Sequence, residues 1–210
     1  MEAEAVSVRY IGSKARVLED LVHIAGPPQG SGVFVDAFCG TGVVAAAAAD
    51  AGWAVRINDS LRCAVTMAAA RLVAAQDVPF GILGGYQKAL RVLNDLAAAP
   101  GFIWSEYSPA SASAGAERVE RRYFTESNAA RIDGMRGQIA EWAAEGSISP
   151  LEEVLLVADL LSAANKTANI AGTYGCFLRK WQPGALADLQ IGRAHVRTPV
   201  TPISRMPSSA

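Results

Sequence analysis

Cysteine is scarce in this chain, at three residues (Cys39, Cys63 and Cys176) in 210. Their spacing fits no metal-binding pattern, and an odd number argues against a closed disulfide framework, so a reducing, cytoplasmic setting without a bound metal is expected. Long apolar runs are also missing. The longest, residues 43–49, is far too short to cross a bilayer, and the acidic start Met1-Glu2-Ala3-Glu4 lacks the apolar stretch of a signal peptide, so no membrane partner is expected. Net charge is nearly absent too: 19 basic residues face 20 acidic ones, for a formal charge of −1. That balance gives no electrostatic sign of nucleic-acid binding, although a local basic patch can hide inside a neutral total. What is present is apolar. About half the residues are hydrophobic and 19% are charged, which excludes disorder and predicts a sizeable core, and the length suits one α/β domain plus an insertion.

The chain is organised around Phe34-Val35-Asp36-Ala37-Phe38-Cys39-Gly40-Thr41-Gly42 and its continuation to Asn58-Asp59. Residues 33–37 read as a short buried strand, Gly40 and Gly42 as a tight turn, and 43–51 as an alanine-rich helix that can lie close on a sheet. Gly52 ends that helix, and 53–57 form the second strand. Glycines at such a turn let the backbone approach a ligand and leave N–H groups free at the helix start. Asp59, 17 residues after Gly42, stands where a carboxylate can accept both hydroxyl hydrogens of a ribose. The pattern Phe-x-Gly-x-Gly is not the longer dinucleotide signature, which shifts weight toward S-adenosyl-L-methionine, a cofactor without a pyrophosphate. Upstream, Tyr10-Ile11-Gly12-Ser13-Lys14 reads as a turn feeding a helix capped by Ser13, with Val17, Leu18, Leu21 and Ile24 on its apolar face. Lys14 is either solvated or reaches toward a small-molecule site.

Downstream, helices are expected over 61–75, 86–96, and from Thr125, Ser127 or Asn128 to Gly146, the last with Ile132, Met135, Ile139 and Trp142 on its buried stripe. Another opens at Ser149-Pro150. Residues 97–116 read as a loop, and 118–122, with three arginines around Glu120, as a mixed-sign face or a phosphate-contacting edge. From Thr167 to Ala187 no acidic residue occurs. There, Asn165 to Trp181 alternates polar and aromatic groups around glycines and ends in Arg179-Lys180. That composition suits either a structural loop or contact with nucleic-acid backbone and bases.

In their order, these pieces resemble the D12-class N6-adenine DNA methyltransferases. Tyr-Ile-Gly-Ser-Lys at 10–14 resembles that family's N-terminal cofactor motif, the stretch at 34–42 its main cofactor motif, and Asn58-Asp59 its ribose-binding acidic end. The segment 123–181 resembles a subgroup associated with restriction–modification or phage-type methylases. The resemblance implies a Rossmann-like class I methyltransferase sheet, here incomplete, with a mostly helical inserted target-recognition region. It implies S-adenosyl-L-methionine lined by Tyr10 and Lys14, shaped by Phe38, Gly40 and Gly42, and held by Asp59. It further implies double-stranded DNA contacted by Lys166, Asn169, Tyr174, Arg179 and Lys180, adenine flipping, and a cognate restriction endonuclease as a partner. On this reading residues 1–75 are the cofactor-binding part and 76–190 the insertion.

One family element is missing. No Asp-Pro-Pro-Tyr, the tetrad that activates the adenine amino group in the family, occurs in the chain, so no catalytic residue is assigned and the chain is expected to be inactive. Residues 191–210 have no hydrophobic periodicity and match the in-frame translation of a common sequencing adapter. They are expected to be a foreign, unstructured tail on a truncated gene. Without Arg193, Arg197 and Arg205 the remainder has 16 basic and 20 acidic residues, net −4. The alternatives are a non-catalytic S-adenosylmethionine- or nucleotide-binding module, and an RNA or small-molecule methyltransferase of similar fold.

Overall fold

Alanine dictates the centre of the first compact unit. In this computed structural model, which describes residues 17–28, 30–114 and 120–192, strand β1 (Val33–Asp36) pairs in parallel with β2 (Ala54–Ile57), in the register Phe34 to Val55 and Asp36 to Ile57. Between them runs helix α2 (Val43–Asp50), whose Ala45, Ala46, Ala48 and Ala49 are buried and let it lie close on the strands. Gly52, at φ +94°, ends it as expected: Gly52 N–H bonds Ala49 O and Trp53 N–H bonds Ala48 O, the paired C-terminal bonds that a left-handed residue permits. Helix α3 (Arg62–Leu72) places Ala68 and Leu72 on the same core. Helix α1 (Leu18–Ala25) packs on α2, with Leu21, Val22 and Ala25 bordering an apolar crevice beside Phe34 and Trp53.

Two sequence expectations fail here. Ile24 is 81% exposed, because the helix turns Leu21, Val22 and Ala25 inward and leaves position 24 on the outer side. The first strand is only half buried: alternation puts Phe34 and Asp36 inward and leaves Val33 and Val35 exposed. Residues 17–79 and 150–158 form this unit.

The second unit comprises residues 80–149 and 159–192, and its regular elements among the described residues are helices. It holds α4 (Tyr86–Asp95), α5 (Phe102–Tyr107), α6 (Glu126–Ala144), the later part of α7 (Pro150–Thr167) and the short α8 (Pro183–Leu186). Thr125 is the cap of α6, accepting a hydrogen bond from Asn128 N–H at 3.2 Å, and the expected stripe Ile132, Met135, Ile139 and Trp142 is buried. The expected loop 97–116 instead contains α5 and a 3₁₀ turn over Pro109–Ala114. The reason is tertiary. The carboxylate of Asp133, on α6, accepts from the N–H groups of Gly101, Ile103 and Trp104 at 2.8–3.0 Å, capping α5 from another helix. No local residue signals that cap.

Asparagines fasten residues 187–191 to this unit. Asn128 donates to Ala187 O and accepts from Leu189 N–H, while Asn94 donates to Ile191 O and accepts from Ile191 N–H. Leu189 and Ile191 are buried. Ile191, the first residue of the segment read as a foreign tail, therefore packs as part of the fold; residues 193–210 lie outside the described residues. Among the described residues no helix is long and apolar enough to cross a membrane.

Candidate functional site

The turn after β1 is built by backbone constraints. Gly40 and Gly42 have φ of +51° and +80°, values that disfavour any Cβ. At Gly42 a Cβ would also lie 2.6 Å from Ala68 Cα, so the close approach of α3 demands glycine. Cys39 N–H bonds Asn58 O, Asn58 N–H bonds Asp36 O, and Asn58 Nδ2 donates to Ala37 O at 3.0 Å, which ties the turn to the end of β2. Asp59 completes the tie: Oδ2 accepts from Gly40 N–H at 2.9 Å and Oδ1 from Leu61 N–H at 3.0 Å.

The structure thus brings Gly40, Gly42 and Asp59 together, and it stations Phe38, 77% exposed, on the same turn. Tyr10 and Lys14 lie outside the described residues. Asp59 also has a role that the sequence did not reveal, as the anchor of the glycine turn. Helix α2 starts at this turn with Gly42 as its cap residue and no side-chain cap, so its positive end faces the site.

One site residue was missed. Asp36, at the carboxyl end of β1, is buried, and its Oδ2 has no hydrogen-bond partner among the described residues. A buried orphan carboxylate oxygen is costly unless something completes it. The only sequence signal was its place, an acid ending an apolar strand just before a glycine turn.

The second cluster lies in the helical unit. After α7, Asn169 to Leu178 fold back through an antiparallel bridge between Ile170 and Phe177. Asn169 was expected at DNA. It is fully buried, and all its polar groups are committed: N–H to Tyr123 O, O to Leu178 N–H, Nδ2 to Leu178 O and Oδ1 to Gln182 N–H. It closes the loop and makes no contact with solvent. Replacing it by alanine would remove the partners of Leu178 O and Gln182 N–H, which are only partly buried, at a cost of about 1–2 kcal/mol. Faster amide exchange at Leu178 and Gln182 in Asn169→Ala is the expected result, and unchanged protection would count against the clamp.

The other expected DNA residues are at the surface. Lys166, Arg179 and Lys180 are exposed, and Tyr174 is 46% exposed at the loop tip. Tyr174 lies nearly parallel to Tyr123 at 6.3 Å and near Phe124 at 6.2 Å. Tyr123, which the sequence did not single out, is the hub. Its ring also meets Tyr107 and Phe177 edge-on, at 5.5 and 5.3 Å.

A parallel β-α-β unit whose glycine turn is tied to a carboxylate after the second strand, with a second, buried carboxylate beside it, defines an α/β protein whose candidate site is at the carboxyl ends of its strands. The helical unit carries a separate aromatic loop flanked by cations. The chain belongs to the family of D12 class N6 adenine-specific DNA methyltransferases, whose model matches residues 10–202. Among curated proteins it is similar to the modification methylase LlaI of Lactococcus lactis subsp. lactis, with 32% identity over 190 residues, 88% of this chain and 29% of the relative. It is 31% identical over 191 residues to the type II methyltransferase M.FokI of Planomicrobium okeanokoites, covering 88% of this chain and 28% of the relative. Identity is also 31% over 201 residues with the type II methyltransferase M.NlaIII of Neisseria lactamica, covering 88% of this chain and 53% of the relative. The chain therefore spans about a third to a half of the length of these relatives. No solved structure matches it.

Proposed function

We propose that this chain binds S-adenosyl-L-methionine at the Asp36–Asp59 turn and double-stranded DNA through the Lys166–Lys180 region, as the donor-binding and target-recognition portion of an adenine-N6 DNA methyltransferase of the restriction–modification type. A cognate endonuclease is the expected partner of such a system. The β-α-β unit is then the start of a Rossmann-like class I sheet. The observation that carries the reading is the coupling of Gly40 to Asp59, which holds a carboxylate beside a backbone that can approach a ligand closely.

The residues present fit that cofactor. Asp59 would accept from the ribose hydroxyls. Asp36, whose Oδ2 has no partner among the described residues, would face positive charge on the methionine part, and the exposed ring of Phe38 would give the adenine an apolar surface. When bound, the sulfonium supplies an electrophilic methyl group. Tyr10 and Lys14, by resemblance, would close the same pocket. On the DNA side, Asn169 holds the loop that presents Tyr174 to a base, while Lys166, Arg179 and Lys180 would meet phosphates.

Activation of the adenine amino group needs acceptors that the family takes from its Asp-Pro-Pro-Tyr tetrad, which this sequence lacks. Cofactor binding without methyl transfer is therefore the expected behaviour. Calorimetric titration of S-adenosylmethionine should give binding that weakens about 10–100-fold in Asp59→Ala, the effect of losing one or two charge-assisted hydrogen bonds. Undiminished binding in that variant would sink the assignment of the site. Robust incorporation of labelled methyl into adenine would show instead that another group in the chain does the tetrad's work.

A further inference from the structure

We propose that Arg122 is an additional phosphate-contacting residue of the DNA surface, and that Glu120 is a built-in competitor that holds its guanidinium in the absence of DNA. The inference rests on the DNA reading above and deepens it.

Two adjacent arginines, both partly exposed, have different partners. Arg121 is tied to the preceding helix and turn: its Nη1 bonds Glu106 O at 2.9 Å and Glu106 Oε2 at 3.2 Å, and its backbone N–H bonds Ser111 Oγ. Arg122 is tied to the recognition loop. Its Nη1 donates to Arg179 O at 2.9 Å, across 57 residues, and its Nε donates to Glu120 Oε1 at 2.6 Å. Nη2 has no partner among the described residues. The guanidinium is thus pinned beside the backbone of Arg179 with one donor edge still open. Residue 123, next in the chain, is the hub under Tyr174, and its carbonyl accepts from Asn169 N–H. Residues 122–123 therefore run alongside the recognition loop. The Arg122 guanidinium stands at the backbone of Arg179, one residue before Lys180, in the segment that follows the exposed aromatic, and both Arg179 and Lys180 are exposed.

The chemistry favours exchange of partners. The Glu120–Arg122 pair is exposed on both sides, at 43% and 37% of their side-chain areas, so water and salt screen it. A DNA phosphate offers the same fork geometry with a higher local charge density and releases counterions on binding. A carboxylate over one of the three cations would restrain non-sequence-specific binding and reserve Arg122 for a DNA that also engages the loop.

The test is fluorescence-anisotropy titration of a mixed-sequence DNA duplex at several salt concentrations with the full chain. Arg122→Gln keeps a donor for Arg179 O but removes the charge. It should weaken binding about three- to tenfold at low salt and lower the slope of log K against log salt by about one. Arg122→Lys should retain most of that slope. Glu120→Gln should tighten binding about two- to fivefold and leave circular dichroism unchanged. If the wild type binds DNA with the usual salt dependence but Arg122→Gln and Glu120→Gln both match it, Arg122 is structural and the inference falls. Tighter binding of an RNA hairpin than of DNA, or no binding of DNA by the wild type, overturns the DNA reading itself.

Discussion

Replacement of Gly42 by alanine is expected to destabilise the β-α-β unit by about 2–5 kcal/mol, at the upper end enough to unfold a marginally stable domain. Two costs combine. The left-handed φ of +80° is unfavourable for a residue with a Cβ by about 1–2 kcal/mol. The new Cβ would also stand 2.6 Å from Ala68 Cα and 2.7 Å from Ala68 Cβ, so helix α3 must move as a body, an overpacking cost of about 1–3 kcal/mol. Gly30 is the control in the same unit. Its φ is +62°, but nothing lies within 4 Å of the place a Cβ would take there, so Gly30→Ala should show the backbone cost alone, about 1–2 kcal/mol. Urea unfolding followed by the fluorescence of Trp53, which is partly buried and bonded to Gly26 O, reads the unit directly. Equal losses for the two variants would contradict the close packing of α3 on the turn. If only Gly42→Ala also abolishes binding of S-adenosylmethionine at a temperature where it is folded, the turn shapes the ligand site as well as the core.

Stability should fall as pH rises from about 4 to about 7, by up to about 4 kcal/mol, because of one buried carboxyl. Asp159 is 2% exposed. Its Oδ2 accepts from the Tyr86 hydroxyl at 2.5 Å, while Oδ1 has no partner among the described residues. Burial pushes its carboxyl up to about 7, and the bond from Tyr86 only partly opposes that. Tyr86 is pushed upward as well, first by burial and then by the charge of Asp159, so the phenol remains the donor. An unfolded aspartate releases its proton near pH 4, so between about 4 and 7 the folded state binds a proton that the unfolded state has lost. The stabilisation is complete below pH 4, declines through 7, and is absent above it. Urea titrations at pH 5 and pH 8 should show the difference, and Asp159→Asn should flatten it. In Tyr86→Phe, which removes the bond that favours the charged form, the decline should move to higher pH. A pH-independent wild type would mean that Asp159 is solvated or paired.

Patterning that depends on neighbours along the chain was readable. The alanine run became a helix close on the strands, Gly52 and Gly146 ended helices, Thr125 capped α6, and the apolar stripe from Ile132 to Trp142 became core. Each rests on short-range geometry, in which a residue's effect is felt within one or two turns. Failures arose where a partner came from far away. Helix α5 was read as loop because its cap, Asp133, lies some thirty residues downstream. Asn169 was read as a DNA contact from the polar and aromatic composition of its segment and the family resemblance; only the fold shows that Leu178 and Gln182 consume its amide.

The candidate site divides in the same way. The residue types and order from Phe34 to Asp59 determine by themselves a strand, a glycine turn, a close-packed helix and an acidic end, because those depend on φ, on side-chain bulk and on strand alternation. Tertiary structure decided what the residues do to one another. It set the Asp59 carboxylate on Gly40 N–H, buried Asp36 Oδ2 with no partner among the described residues, made Tyr123 the support of Tyr174, and tied Arg121 to Glu106 but Arg122 to Glu120 and the backbone of Arg179. Hydrogen bonds and burial between segments tens of residues apart depend on where packing brings the chain back on itself, and no local pattern encodes that.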